Sequence, residues 1–182
     1  MKRNLILATS VVITIGTISY VTIKSGLVSK ISSFFIAGTT QGKLPSFTFS
    51  TLETEEKINT DDLKPGGSFV ILYFSPDCPF CKEQLHEIIK NNTALVNVPI
   101  YFLSPFTNAE IKPYFKGYNL SAYKNIVAGV DNSSSFGKYY KVGTVPCLAF
   151  FDKNRDLKDI RVGITGSKVI KSICDSINQF AK

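Results

Sequence analysis

From Lys43 onward, short apolar runs alternate with longer amphipathic ones, the pattern of strands joined by crossover helices. Residues 69–74 (F-V-I-L-Y-F) are β-branched or aromatic at both parities, which predicts a strand covered on both faces and hence the central strand of a sheet. Ser75 to Cys78 reads as a loop. Pro79 then stands where a first helical position tolerates a residue without an N–H, and Leu85, Ile88 and Ile89 give the following helix its apolar face. Residues 98–103 predict a second buried strand, residues 108–116 a helix made irregular by Pro113, and residues 126–130 a third strand. Asp131 is the expected cap of a helix reaching Tyr140. Residues 146–152 and 157–162 predict two strands around the polar loop Lys153, Asn154, Arg155 and Asp156, an antiparallel hairpin. The last element, residues 167–180, is an amphipathic helix with Val169, Ile170, Ile173, Cys174, Ile177 and Phe180 on one face. No internal repeat interrupts this order. The expectation is an α/β fold, a central mixed β-sheet flanked by helices, over residues 43–182.

Ahead of that domain the pattern changes. After Lys2 and Arg3, residues 5–23 carry no charge, and at a rise of about 1.5 Å per residue they make a helix roughly 28 Å long, close to the thickness of a bilayer's hydrocarbon core. Residues 1–23 are therefore expected to be a membrane anchor. A cleaved signal peptide is the competing reading, but no A-x-A-like site follows the run, which is longer than a usual apolar signal region. No cysteine follows closely enough for lipid attachment. Lys2 and Arg3 favour a cytoplasmic N-terminus, against the weaker bias of Lys24 and Lys30 on the other side. Residues 24–42, rich in Ser, Thr and Gly, read as a tether. The remainder of the 182-residue chain, 44% hydrophobic overall, suffices for one compact domain with a core. A net charge of +7 raises the question of nucleic acid, but the lysines are scattered with no dense basic run or aromatic stripe, so none is expected. A basic surface beside an anionic membrane accounts for the charge.

Candidate chemistry lies in Cys78-Pro79-Phe80-Cys81. A strand, a loop, Cys-x-x-Cys and a helix in succession place the first sulfur at the helix N-terminus and the second about one turn in. Backbone N–H groups and the positive end of the helix dipole favour a thiolate at the mouth. Cys78 is thus the expected nucleophile and Cys81 the residue that resolves a mixed disulfide. A zinc half-site is the alternative, yet zinc needs further ligands. His86, the sole histidine, lies five residues beyond Cys81 and well round the helix, and Cys147 and Cys174 show no second knuckle-like spacing.

These motifs resemble those of the membrane-tethered, extracytoplasmic thioredoxin-like thiol-disulfide oxidoreductases of bacteria, the TlpA and ResA type. The matching pieces are L-P-S-F-T-F, then F-V-I-L-Y-F-S-P-D-C-P-F-C, D-N-S-S-S-F-G-K-Y-Y-K-V and G-T-V-P-C-L-A-F-F-D-K-N, followed by a terminal helix. The resemblance implies a thioredoxin-like fold behind a single transmembrane helix in the cytoplasmic (inner) membrane, with the catalytic domain on the periplasmic side. It implies that Val145-Pro146 is a cis peptide bond facing the two sulfurs, and that Val145, Pro146, Pro79 and Phe80 bind substrate. It implies no cofactor. The partners expected from it are cysteine-containing extracytoplasmic proteins and a membrane thiol-disulfide electron donor or acceptor.

The chain also departs from the family pattern. Leu72 stands where many thioredoxins bury an acid, and Gln84 where the tethered reductases often place a glutamate. Asp77 stands where a tryptophan is common, and its charge opposes the helix terminus. Glu83 and Glu87 are expected on a solvated helix surface. Cys147 and Cys174 are read as small apolar core residues, with a structural disulfide between them as the alternative. Two other functions remain open. Ser75-x-x-Cys78 loosely matches a peroxiredoxin motif, although Ile71 replaces the usual proline and no orienting arginine is evident. Two soft thiolates also suit copper delivery by a non-catalytic module.

Overall fold

A computed structural model of the chain describes residues 42–63 and 65–180. The expected anchor over residues 1–23, and all of the expected tether except Gly42, lie outside the described residues. No helix among the described residues is long and apolar enough to cross a membrane.

Strand β1 (Thr48–Thr51) and strand β2 (Lys57–Asn59) form an antiparallel hairpin. Neither was expected as a strand, because the short, polar stretch T-F-S-T lacks a run of apolar residues. Strand β3 (Phe69–Tyr73) leads to helix α1 (Pro79–Lys90) and the single turn α2 (Asn92–Leu95). Strand β4 (Ile100–Ser104) and strand β5 (Ile126–Val130) follow, then helix α4 (Ser135–Tyr139), the hairpin of strand β6 (Cys147–Phe151) and strand β7 (Leu157–Val162), and helix α5 (Ser167–Phe180). Between β4 and β5 the expected helix is one turn only, α3 (Asn108–Ile111), which continues as a 3-10 turn, Lys112–Phe115, where Pro113 interrupts the α-helical pattern.

The sheet order is β2-β1-β5-β4-β3-β6-β7. The pairs β3–β4 and β4–β5 are parallel and the others antiparallel. β3 is interior, between β4 and β6, while the middle place belongs to β4. Every residue of β3 and of β6 is buried, and the pleat divides them by parity. Val70, Leu72, Phe74, Leu148 and Phe150 face the layer that holds α1 and α5, including Cys81, Leu85, Ile88, Ile170 and Cys174. Phe69, Ile71, Tyr73, Cys147, Ala149 and Phe151 face the opposite layer with Phe136 and Tyr140. On α5 the buried face is narrower than expected. Ile170 and Cys174 are buried and Ile173 and Ile177 partly so, but Val169 and Phe180 are exposed, the latter at the helix's last residue.

Asp131 caps α4 as expected, accepting the Ser135 N–H at 2.9 Å on one carboxylate oxygen and the Phe136 N–H at 2.8 Å on the other. It does so from outside the helix, because Ser134, at φ 51°, turns the chain between them.

Candidate active site

The loop after β3 delivers Cys78 as the N-cap of α1 in an extended conformation, φ −84° and ψ 116°, with Pro79 as the first helical residue. The Cys78 carbonyl accepts the N–H groups of Cys81 at 3.1 Å and Lys82 at 3.2 Å, so the helix begins at this residue. Pro79 has no N–H, and the first amide at the helix mouth is that of Phe80. Cys78 is half-buried and Cys81 fully buried. Burial pushes the Cys81 thiol up to about 12, and the neighbouring Cys78 sulfur acts in the same direction. One sulfur therefore sits at the helix mouth, and the other is a protonated thiol one turn behind it.

Val145-Pro146 is a cis peptide bond, as the family resemblance implied. It faces Cys78, whose Sγ donates to the Val145 carbonyl oxygen at 3.6 Å. The Pro146 carbonyl accepts from Gly163 N–H at 2.8 Å, tying this loop to the end of β7. The strap from Gly163 to Ser167 is in turn held to α1. Gln84 Nε2 donates to the Thr165 carbonyl at 3.0 Å, and Thr165 N–H donates to Gln84 Oε1 at 2.6 Å. Phe80 is four residues before Gln84 on α1. Phe80, two residues after Cys78, is 60% exposed, and Ile164 on the strap 43%; Val162 is exposed too, but it pairs with Cys147 and so lies on the sheet face away from α1.

The residues at the departures have definite places. Leu72 is fully buried in apolar surroundings. Gln84 is buried with both ends of its amide bonded to Thr165, a structural tie that leaves it no proton-accepting role. Glu83 is exposed on the helix surface, as expected. Glu87 is not a merely solvated residue. Its carboxylate accepts the Ser167 N–H at 2.9 Å at the start of α5, which holds it below the usual carboxylate range. It docks there because the amides at a helix N-terminus lack intrahelical partners.

Cys147 and Cys174 are both buried thiols, as the core reading expected. They lie on opposite faces of the sheet, so no disulfide joins them, and Cys147 likewise faces away from Cys81. Burial pushes each thiol up to about 11. Among the described residues no cluster of three His, Cys, Asp or Glu side chains is arranged to hold a metal. Arg155 is engaged with Asp61 and the Thr60 carbonyl, and Arg161 with Asp159. Neither bonds to the site.

Tyr114 went unnoticed in the sequence. Its hydroxyl donates to the Cys81 carbonyl at 2.6 Å. The stretch K-P-Y-F showed only a proline inside a helical pattern, and nothing local in it points to a contact 33 residues back along the chain.

A family model described as the AhpC/TSA family matches residues 40–160. No curated protein sequence matches the chain. Among solved structures, a putative thioredoxin from Neisseria meningitidis superimposes with a TM-score of 0.62 at 19% identity, covering 79% of this chain and 95% of that one. The exposed lipoprotein thioredoxin of Streptococcus pneumoniae strain TIGR4 gives 0.59 at 20% identity, over 72% and 99% of the two chains. StoA from Bacillus subtilis gives 0.55 at 18%, over 71% and 96%. All three carry the same fold.

Proposed function

Because the chain belongs to the AhpC/TSA family and has a thioredoxin-like fold, we propose that it exchanges disulfides with partner proteins through Cys78 and Cys81. The carrying observation is the half-buried Cys78 sulfur at the mouth of α1, against the Val145 carbonyl and with the buried Cys81 thiol behind it. In the reductive direction the Cys78 thiolate attacks a partner's disulfide, forming a mixed disulfide and releasing one partner thiolate, which takes up a proton. Cys81 then loses its proton and attacks Cys78 Sγ, releasing the second partner thiolate and leaving the Cys78–Cys81 disulfide. Two electrons pass to the partner, and the same steps in reverse oxidise it. The thiol of Cys81, pushed up to about 12, must be deprotonated during the second step. With Gln84 tied to Thr165 and Leu72 apolar, water is the proton acceptor this reading assigns.

A protein substrate suits the exposed apolar ring of Phe80, two residues after Cys78, which has no role for a small polar oxidant. The engagement of Arg155 and Arg161 elsewhere weighs against peroxide reduction. The uncharged run of residues 5–23 supports a tethered chain with this domain on the extracytoplasmic side, where disulfide partners and a membrane electron donor or acceptor are found. The test is insulin reduction by the full chain in detergent. Wild-type activity, its loss in Cys78→Ala and a trapped mixed disulfide in Cys81→Ala are expected. Full activity of Cys78→Ala, or rapid consumption of hydrogen peroxide in stopped flow without insulin reduction, would overturn the reading.

A further inference from the structure

Tyr114 links the two segments that meet at Cys78. Its ring stacks on Phe74 with centroids 4.6 Å apart at 26°, and Phe115 meets it edge-on at 4.8 Å. Phe74 is the residue from which the chain leaves β3 for the Cys78 loop. The other end of Tyr114 is its hydroxyl, 2.6 Å from the Cys81 carbonyl oxygen. In an α-helix that carbonyl also receives the N–H four residues on, so the phenol is a second donor to the same oxygen. The side chain is 5% exposed, and its phenol is pushed well above the usual range by burial, with the sulfurs of Cys81 and Cys78 acting in the same direction. It is a permanent donor, within electrostatic reach of both sulfurs.

We propose that Tyr114 is a positioning residue for the Cys78/Cys81 couple, its hydrogen bond to the Cys81 main chain holding the first turn of α1 in the dithiol arrangement and so setting the potential of the pair. The inference rests on the exchange reading above. Oxidation replaces two S–H groups by one S–S bond of about 2.05 Å, with Cβ atoms about 3.8 Å apart. Closing the bond draws the two Sγ atoms together from their separation as free thiols, and a clamp on the Cys81 carbonyl opposes the accompanying shift of the first turn. The clamp thus favours the dithiol.

The experiment equilibrates the full chain with glutathione: the protein dithiol and one glutathione disulfide give the protein disulfide and two glutathione thiols, two electrons and two protons passing to glutathione. Tyr114→Phe keeps the ring stack and removes only the donor. Its equilibrium constant for disulfide formation is expected to rise about fivefold, which is about 20 mV more negative. Melting of the oxidised and reduced forms completes the cycle, and the reduced form is expected to lose more stability. Equal losses with an unmoved potential, or a potential shifted the other way, overturn the inference and leave disulfide exchange standing. A wild-type pair that never equilibrates with glutathione overturns both.

Discussion

Gln84 and Thr165 exchange two hydrogen bonds, the buried amide of one accepting from and donating to the main chain of the other at 2.6 and 3.0 Å. A carboxylate of the same shape accepts but does not donate, so it would leave the Thr165 carbonyl facing a negative oxygen. Gln84→Glu is therefore expected to lose about 1–3 kcal/mol at neutral pH, the cost of an unsatisfied buried polar group. The sign with pH follows. A glutamate there is favoured in its protonated form, which can donate, so its folded pKa is raised and the variant regains stability as pH falls through that value. Urea unfolding at pH 7.5 and pH 5 checks this. A variant as stable as wild type at pH 7.5 refutes the argument.

Glu87 predicts the opposite slope. Its carboxyl is held below the usual range by the Ser167 N–H, so its contribution is present above the ordinary glutamate value of 4.5 and is lost as pH falls through the lowered folded value. Glu87→Gln is expected to cost about 1 kcal/mol at pH 7, as for other helix-terminus contacts, and to unfold less steeply in acid. Denaturant midpoints from pH 7 to pH 3 measure both. Parallel profiles for the two proteins count against the docking role.

The four thiols are expected to alkylate in a definite order. Cys81 is pushed up to about 12 and Cys147 and Cys174 each to about 11 by burial, while Cys78 is half-buried at the helix mouth. At pH 8 a thiol at 11 is about 0.1% ionised against roughly a quarter for an ordinary one, a difference of about 250-fold before access is counted. Iodoacetamide on the native dithiol, followed by peptide mass analysis, should label Cys78 first and the other three only after unfolding. Because Cys147 and Cys174 face opposite layers, oxidation should leave both free. Labelling of Cys174 as fast as Cys78 would sink this account.

The resemblance to thioredoxin-like thiol-disulfide oxidoreductases drawn from the motifs agrees with the family match and the shared fold, and the reasons for its legibility are local. F-V-I-L-Y-F has apolar side chains at both parities, and burial on both faces of β3 follows from that alone. The strand, loop and Pro79 in sequence fix Cys78 as an N-cap. The β1–β2 hairpin lacked such a signal, since Thr48, Ser50 and Lys57 are polar and the pairing with β5 is made with residues about 80 positions away. Glu87 read as a solvated helix residue and Gln84 only as a missing glutamate, because their partners, Ser167 and Thr165, are brought up by the chain after the terminal hairpin. Tyr114 was hidden in the same way. Contacts within one element were legible; of those that close the site across elements, only the cis Val145-Pro146 bond facing Cys78 was expected, and that from the family resemblance.

Phe80 separates binding from chemistry. Its side chain is 60% exposed two residues after Cys78, and it makes little contribution to the core. Fully burying a phenylalanine against a partner is worth about 1.5–3 kcal/mol, and the exposed part of this ring sets the gain near 1–1.5 kcal/mol. Phe80→Ala is therefore expected to raise KM for a protein disulfide such as insulin by about tenfold and to leave kcat near wild type. Reduction of a small disulfide such as oxidised glutathione, too small to cover the ring, should change less than twofold, and the melting temperature should hold. Steady-state kinetics on both substrates measure the ratio directly. An equal loss on the two disulfides would place Phe80 in the chemistry of Cys78 and remove the argument that its ring binds the partner.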